Sequence, residues 1–357
     1  MGSALRAATD ASPGIAEAIV ATDYLRRSPA TIGGTSGHKE WLHFAILTPA
    51  LDLLVNFSVS DDVRDEAAAG AELPRVVVLL RDETWEGDVE TYPTRESRIV
   101  GGRFGMDLAG NTLDFVDGAF EIVVTLRGRP VTMRLRLTPR TLPAFVPSIP
   151  MLDGPPLHWV VVPRLDVTGT VRVGDRVHEL DRAPAYHDHN WGRFLWGHDV
   201  SWEWGFVLPD SPDVPWTVTF VRLTDRARGV ALAQKMLVWR DADMARVFRE
   251  SDIEVRTTLG FAPSRSVFKI PRPMALVAPE IPTDVPSRLE VHARLGDDRL
   301  SCRCDVADVG QVLIPSETRL GVTIFNEVRA RSTVQGRIGG EDVAFTGRSI
   351  LEFIREV

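Results

Sequence analysis

Residues 158–173 have the sequence HWVVVPRLDVTGTVRV. Two runs rich in β-branched and aromatic residues, His158–Val162 and Val167–Val173, are separated by a proline and polar residues, and runs of this kind predict strands. The same pattern continues in both directions along the chain, with the runs broken by Gly, Pro, Asp and Asn. The sequence therefore predicts an all-β protein made of antiparallel strands.

The other predicted strands form two sets of similar size. In the first half they are Trp41–Leu47, Leu51–Ser58, Pro74–Arg81, Ala119–Leu126 and Val131–Leu137. In the second half they are Trp202–Leu208, Trp216–Leu223, Leu232–Trp239, Leu289–Leu295, Gly321–Phe325, Ala330–Gly336 and Val343–Ile354. One helix is predicted near the beginning, over Ala16–Arg27, where apolar residues repeat at helical spacing. We therefore expect two β-domains preceded by a short helix.

The composition excludes several classes of protein. With 357 residues, 44% of them hydrophobic and 25% charged, the chain is long enough for two domains, and no apolar run is long enough for a membrane span. The formal net charge of -8 would repel a phosphate backbone, so nucleic acid is not an expected partner. The N-terminal segment lacks an apolar core of signal-peptide length, so we expect a cytoplasmic location, with peripheral membrane contact left open.

The two cysteines and a glycine-rich segment are expected to be structural. Cys302 and Cys304 share one face if they lie in a strand, and without a further cysteine they are predicted to be packing residues. Residues 33–38, GGTSGH, lack the Lys-Ser/Thr ending of a phosphate loop and are predicted to form a turn. A dinucleotide-binding fingerprint and a Gly-x-Ser-x-Gly elbow are absent, and no cofactor is expected.

Candidate chemistry is concentrated in residues 186–204, which contain three of the eight histidines and four of the nine tryptophans. In a strand, Tyr186, Asp188 and Asn190 would share one face. An aspartate buried among aromatic rings would have a raised pKa and could act as a general acid. Tyr186 and Asn190 could hydrogen-bond its carboxyl group, and the faces of nearby tryptophans could stabilise a cation. The alternative is a structural aspartate beside an aromatic core.

The opposite face of the same strand would carry His187 and His189. A His-x-His pair in a strand is a geometry used by some metal sites, but the glutamate that a cupin places after the second histidine is missing, and no metal is predicted. Upstream, His158 and Trp159 are a further candidate pair at the start of a strand.

Two segments together resemble a known family. They are residues 157–173, with Gly169 and Gly174, and Tyr186-His187-Asp188-His189-Asn190-Trp191-Gly192. This succession resembles the carotenoid 1,2-hydratase family (hydroxyneurosporene synthase) and its AttH-like relatives. The resemblance implies two lipocalin-like β-barrel or sandwich domains with a substrate cavity at or near their interface. We therefore expect residues 1–37 to form a helical extension, residues 38–185 the first β-domain and residues 186–357 the second.

The resemblance also implies site residues. Asp188 would protonate an alkene with Tyr186 beside it, and His158 would be an upstream catalytic partner. His158 and Trp159 are adjacent, whereas the hydratase pattern separates its histidine and tryptophan by one residue, so the two should face opposite ways. The residues expected to bind substrate are Trp159, Asn190, Trp191, Trp202, Glu203 and Trp204.

The expected activity is hydration or cyclisation of a hydrophobic, unsaturated small molecule, an isoprenoid or a polyketide, without a cofactor. It would proceed by acid protonation of an alkene or a carbonyl in an aromatic-lined cavity. The chain also resembles fungal decalin-forming Diels–Alderases, which implies an alternative, a pericyclase that acts by folding a polyene. A second alternative is a lipocalin-like carrier that binds an apolar ligand without changing it. Finally, the tryptophans of residues 191–204 could simply pack between two β-domains.

Overall fold

The computed structural model describes residues 12–26, 37–61, 72–151, 154–196, 201–258, 260–263, 266–317 and 320–357. Its internal contacts divide the chain into two compact units, Met1–Ile149 with Pro155–Phe194 and Pro150–Gly154 with Leu195–Val357. Most of the turn expected at residues 33–38 lies outside the described residues.

The first unit contains helix α1 and strands β1 to β12. Helix α1 is Pro13–Thr22, and a 3₁₀ turn covers Thr94–Glu96. The strands are β1 His38–Leu47, β2 Asp52–Asp61, β3 Glu72–Arg81, β4 Trp85–Thr91, β5 Ser97–Ile99, β6 Gly105–Leu108, β7 Asn111–Val116, β8 Ala119–Thr125, β9 Val131–Pro139, β10 Ala144–Ile149, β11 Leu157–Val173 and β12 Arg176–Arg193.

The second unit contains strands β13 to β22 and helix α2. Helix α2 is Arg272–Val277, and a 3₁₀ turn covers Glu250–Asp252. The strands are β13 Ser201–Pro209, β14 Trp216–Thr224, β15 Ala231–Arg240, β16 Asp243–Arg249, β17 Ile253–Thr258, β18 Phe268–Ile270, β19 Arg288–Leu295, β20 Asp298–Pro315, β21 Val322–Ile338 and β22 Glu341–Glu356.

The two units have matching strand orders. Over the described residues, the first sheet runs β4-β3-β2-β1-β12-β11-β9-β8-β7-β6-β5 and the second runs β16-β15-β14-β13-β22-β21-β20-β19-β17. In each unit the first strand therefore pairs with the last, and β4 and β5, or β16 and β17, lie at opposite edges. Almost every pairing is antiparallel, the exception in the described part being β18 with β20. The prediction of an all-β fold is confirmed.

Several strands are longer than the sequence pattern indicates. The two strands expected at His158–Val162 and Val167–Val173 form one strand, β11, with a register shift between Val162 and Leu165. Pro163 lies at this shift. Because proline cannot donate to a strand ladder, it interrupts the sequence pattern, but a bulge allows the strand to continue past it.

The N-terminal helix begins and ends earlier than the expected Ala16–Arg27. It starts at Pro13, because proline at the first helical position loses no hydrogen bond, and it ends at Thr22. Beyond the helix, the Leu25 N–H donates to the carbonyl of Arg103, and the Gly102 N–H donates to the carbonyl of Leu25. The described part of the predicted extension is thus joined to the first unit.

The compact units also divide at a different residue from the expected boundary after Ala185. That position lies inside β12, which remains paired with β1 as far as Arg193. Tyr186 to Asn190 therefore belong to the first unit. In the second unit, Cys302 and Cys304 are buried in the hydrophobic core, as the sequence predicts. None of the helices in the described residues has the length and apolarity needed to cross a membrane.

Candidate functional site

Strand β12 lies between β1 and β11, and its register decides which side chains meet. Asp188 is directly opposite His43 on β1 and Val161 on β11, and Asn190 is opposite Trp41 and Trp159. Because opposed residues on antiparallel strands project to the same side, these side chains share the face of Tyr186, Asp188 and Asn190. We call this face the Asp188 site.

At the centre of the Asp188 site is a carboxylate held from both sides. The hydroxyl of Tyr186 donates to Oδ2 of Asp188 at 2.8 Å, and Nδ2 of Asn190 donates to Oδ1 at 2.9 Å. Tyr186 is fully buried, and Asp188 and Asn190 are 3% and 8% exposed. The two hydrogen bonds expected from the sequence are therefore present, and they fix the orientation of a buried carboxyl group.

His43, on the same face, was not among the expected site residues. Burial, together with repulsion from His187, lowers the pKa of His43 to about 3, so this imidazole is neutral at physiological pH. A charged histidine across from Asp188 would favour the carboxylate form, and a neutral one adds no such positive charge. Trp159, 2% exposed, supplies an aromatic ring on this face.

The opposite face of β12 carries a chain of buried hydrogen bonds, which we call the Asp23 network. Oδ2 of Asp23 lies 2.8 Å from Nε2 of His187, and Oδ1 lies 2.7 Å from Nδ1 of His189. Nε2 of His189 lies 2.8 Å from Oε1 of Glu40, which also accepts the backbone N–H of Arg26 at 2.7 Å. All four network side chains, Asp23, Glu40, His187 and His189, are essentially inaccessible to solvent.

Protonation states in the Asp23 network follow from its partners. Burial alone would lower the pKa of His189, but hydrogen bonds to Asp23 and Glu40 outweigh it and raise the pKa to about 9. Burial would raise the pKa of Glu40, but the hydrogen bonds with His189 and His38 lower it to about 2. The pKa of Asp23 is lowered for the same kind of reason, with His187 as the leading partner against burial. His189 is thus an imidazolium between two carboxylates.

All four ring nitrogens of His187 and His189 have partners. Besides the two carboxylates, Nδ1 of His187 lies 2.9 Å from the backbone carbonyl of His43, which can only accept a hydrogen bond. Among the described residues, no group of three or more His, Cys, Asp or Glu side chains has the arrangement of a metal site. The His-x-His pair therefore fastens β12 to helix α1, through Asp23, and to β1.

His158 and Trp191 lie on the side of the Asp23 network, away from Asp188. The two are opposite each other in the register of β11 and β12, and their rings are stacked with centroids 5.3 Å apart. Phe145 stacks on Trp191 at 5.8 Å, and the guanidinium of Arg26 lies 4.3 Å from its ring centre. The structure thus brings Trp159, but neither His158 nor Trp191, to the face of Asp188.

Trp202 and Trp204 lie in the second unit, on one face of β13. Nε1 of Trp202 donates to Oε1 of Glu352 at 2.5 Å. Glu352 is directly opposite both Trp204 and Glu327 in the sheet and is hydrogen-bonded to Glu327. Burial raises the pKa of Glu352, and the hydrogen bonds from Trp202 and with Glu327 oppose the shift without cancelling it. This aromatic-flanked carboxyl pair was not expected from the sequence.

Glu203 faces the other way from its two tryptophan neighbours. Its carboxylate lies 3.2 Å from Nη1 of Arg222 and 3.6 Å from Nη2 of Arg355. The structure therefore assigns Glu203 to ion pairs on the core side of the second sheet rather than to the face of Trp202 and Trp204.

Three solved structures have a fold similar to that of this chain. A protein described as a putative AttH from Nitrosomonas europaea has 14% identity and a TM-score of 0.62, covering 97% of this chain and 98% of its own. CghA has 15% identity and a TM-score of 0.59, covering 90% of this chain and 88% of its own. Kievitone hydratase from Nectria haematococca has 9% identity and a TM-score of 0.56, covering 97% and 95%. The chain has the AttH-like double lipocalin-like fold.

The sequence itself matches no protein-family model and no curated protein with which it was compared. At 9–15% identity, the likeness to the three structures concerns the double lipocalin-like fold alone.

Within the double lipocalin-like fold, the residues missed by sequence reasoning are those that reach a site from elements distant in the chain. Asp23 and His187 are 164 positions apart in the chain, and Trp202 and Glu352 are 150 apart. No spacing rule links such pairs. For His43 there was a weak indication, because it lies two residues after Trp41 in a predicted strand and therefore on the same face. The strand beside it could not be deduced from the sequence.

Proposed function

We propose that this protein is an enzyme that hydrates or cyclises a hydrophobic, unsaturated small molecule without a cofactor, with Asp188 as the general acid. The observation that carries the proposal is the buried Asp188 carboxyl group held by Tyr186 and Asn190. The fold adds support, because kievitone hydratase and CghA, the latter also solved with Sch210972, have the same architecture. The substrate class, isoprenoid or polyketide, is part of the proposal.

The chemistry needs only one carboxyl group and water. The π electrons of the alkene take the proton from protonated Asp188, which leaves a carbocation on the substrate and a carboxylate on the enzyme. Water then attacks the cation, and its surplus proton returns to Asp188, which restores the acid. In a cyclisation, a hydroxyl group of the substrate attacks in place of water and gives up its proton. Alternatively a second double bond attacks, and the new cation loses a proton from the neighbouring carbon. In both cases a proton returns to Asp188.

The surroundings of Asp188 fit this cycle. Tyr186 and Asn190 each donate to a different oxygen of the carboxyl group, which holds it in one orientation. The neutral His43 adds no positive charge that would keep Asp188 ionised. The ring of Trp159 on the same face can stabilise a nearby cation by cation–π attraction. Alkene protonation by a carboxylic acid is difficult, so such stabilisation has to supply several kcal/mol.

A Diels–Alderase-type pericyclase is the alternative activity, and the fold shared with CghA is the reason to retain it. Such an enzyme lowers the barrier through the shape of its pocket and needs no proton donor. A non-catalytic carrier of an apolar ligand is the third outcome that the test must separate.

Mass spectrometry in deuterated water distinguishes the three. The purified protein is incubated with kievitone and with an apolar extract of the producing cells. Acid catalysis predicts a product with one deuterium on carbon, heavier by a water for hydration and isomeric for cyclisation. A pericyclase gives an isomer without solvent deuterium, and a carrier returns its ligand unchanged; either result would overturn the proposal.

The matched variants are Asp188→Asn and Asp181→Asn. Asp188→Asn keeps the side-chain volume and should abolish turnover, whereas Asp181 is exposed on the same strand and its replacement should leave the rate unchanged. Full activity in a folded Asp188→Asn protein would remove Asp188 from the mechanism. Glu352→Gln belongs in the same series, because Glu352 is the other aromatic-flanked carboxyl group described above.

A further inference from the structure

A cavity of about 390 Å³ opens at one end of the second sheet. Its lining comes from the start of β13 and β21, the end of β22, the turn after β14 and residues 282–284. Three arginines, Arg226, Arg228 and Arg355, line it together with the apolar side chains of Pro282, Ile324 and Ile354. This volume is within the range of small-molecule sites in proteins, about 300–1,000 Å³.

Arg355 is the most buried of the three arginines, with 7% of its side chain exposed. Its Nη1 donates to the backbone carbonyl of Ile354 at 2.9 Å and to Oγ of Ser201 at 3.4 Å. Nε has no hydrogen-bond acceptor, and the nearest carboxylate to it, that of Asp284, is 3.6 Å away. A buried guanidinium N–H without an acceptor is costly unless something else satisfies it.

Arg228 is held at the cavity by a tight turn. Its backbone has a positive φ of 61°, and its N–H donates to the carbonyl of Asp225. The carboxylate of Asp225 accepts the N–H groups of Gly229 and Val230, at 2.6 and 3.0 Å. The turn therefore positions the Arg228 side chain, whose Nη2 lies 2.8 Å from Oδ2 of Asp284.

Arg228 and Arg355 share Asp284, whose side chain is 56% exposed. Burial lowers the pKa of Arg355 to about 10, and repulsion from Arg228 adds to this effect, while Glu203 and Asp284 oppose it. Glu203 is also paired with Arg222, and Glu356 accepts a hydrogen bond from Ser316 at 2.8 Å. Among the described residues that line the cavity, three arginines are therefore accompanied by two acidic side chains, Asp284 and Glu356.

We propose that this cavity binds a small molecule with one carboxylate group and a short apolar body, its carboxylate held between Arg355 and Arg228. A carboxylate there would give Nε of Arg355 its missing acceptor, and charge-assisted hydrogen bonds of this kind are the strong ones. The apolar part of the ligand would lie against Pro282, Ile324 and Ile354. The site is separate from the Asp188 chemistry, and its test does not depend on turnover.

The test is calorimetric titration of the full-length protein with octanoate, compared with octanol and with inorganic phosphate. Octanoate should bind saturably, octanol should bind at least about tenfold more weakly for want of the charge, and phosphate should bind more weakly for want of the apolar chain. Equal binding of octanoate and octanol would overturn the proposal, as would phosphate binding as tightly as octanoate.

Two variants should change the affinity of the cavity for octanoate in opposite directions. Arg228→Gln removes a cation at a partly exposed side chain and should weaken octanoate binding about tenfold, whereas Asp284→Asn removes the competing carboxylate and should tighten it. Arg294→Gln, an exposed arginine on β19 outside the cavity, is the control and should have no effect. Weaker binding in Asp284→Asn would show that Asp284 recognises the ligand and would overturn the carboxylate assignment.

Discussion

Asp23 at the end of helix α1 and His189 on β12 are 166 positions apart in the chain, yet Oδ1 of one lies 2.7 Å from Nδ1 of the other. The same aspartate holds His187, so one carboxylate fixes both histidines of the His-x-His sequence. The alternation of side chains along β12 then places Tyr186, Asp188 and Asn190 on the other face. The Asp23 network thereby positions the strand that supplies the Asp188 site.

The Asp23 network should make stability depend on pH. Folding raises the pKa of His189 from 6.5 to about 9, so its contribution is fully present below 6.5 and is lost as pH rises through 9. Folding lowers the pKa of Glu40 from 4.5 to about 2, so its contribution is present above 4.5 and is lost as pH falls through 2. The network is therefore at full strength between pH 4.5 and 6.5.

Denaturant unfolding across this pH range checks the prediction. His189→Gln removes the cation that lies between the buried carboxylates of Asp23 and Glu40, and it should lower the free energy of unfolding by about 3–5 kcal/mol near pH 6. It should also reduce the fall in the free energy of unfolding between pH 6.5 and 9. His292→Gln, in the second sheet, is the control. An unchanged alkaline slope in His189→Gln would exclude the assigned imidazolium.

Tyr186→Phe should slow turnover by about ten- to a hundredfold. Its hydroxyl donates to the carboxylate that forms as Asp188 gives up its proton, and a hydrogen bond to a charged group is worth about 1.5–3 kcal/mol. The effect should fall on kcat more than on KM, because the hydroxyl orients Asp188 and does not enclose the substrate. Tyr92→Phe is a matched control, as Tyr92 donates to the carboxylate of Glu90 elsewhere in the first unit. Equal losses in both variants would indicate general destabilisation instead.

Glu352 should be protonated over a wider pH range than an ordinary glutamate. Infrared spectra should contain a protonated-carboxyl band that disappears in Glu352→Gln and persists in Glu341→Gln, an exposed glutamate on the same strand. Trp202→Phe should raise the pKa of Glu352 further, because the indole N–H favours its ionised form. A downward shift in that variant would contradict the described hydrogen bond.

His158→Gln should leave the chemical step nearly unchanged, since the His158 ring stacks on Trp191 on the face opposite Asp188. Trp159→Leu, one residue later, should reduce kcat because Trp159 shares the face of Asp188. Single-turnover rates for the two variants test this pair of expectations. A severe loss in His158→Gln with normal stability would place His158 back in the mechanism.

The sequence predicts the parts of this structure that depend on local pattern. Alternation along one strand placed Tyr186, Asp188 and Asn190 together and predicted their hydrogen bonds, and it also placed His158 and Trp159 on opposite faces. What alternation cannot supply is the neighbouring strand. His43 and Glu352 reach their partners through strand order and register, and Asp23 does so through the position of helix α1; both depend on packing over a whole unit.

The lengths of the strands could not be predicted from the local sequence pattern either. Pro163 predicts the end of a strand, whereas β11 pairs with β12 on both sides of it and is therefore one continuous strand. The expected domain boundary after Ala185 differs from the end of the first unit at Phe194 for a related reason. The sequence motif begins at Tyr186, but the strand that carries it begins at Arg176 and completes the first sheet.

The pairing of β1 with β12 has a consequence for synthesis of the chain on the ribosome. β1 emerges early and can pair with β2 at once, but its other edge has no partner until Arg193 has been made. An open strand edge is prone to wrong pairing, so the nascent first unit is exposed to wrong pairing along β1 until β12 has been made. His43 on β1 comes to lie opposite Asp188 only when β12 pairs with this edge. The proposed catalytic face is therefore completed by the last strand of the unit.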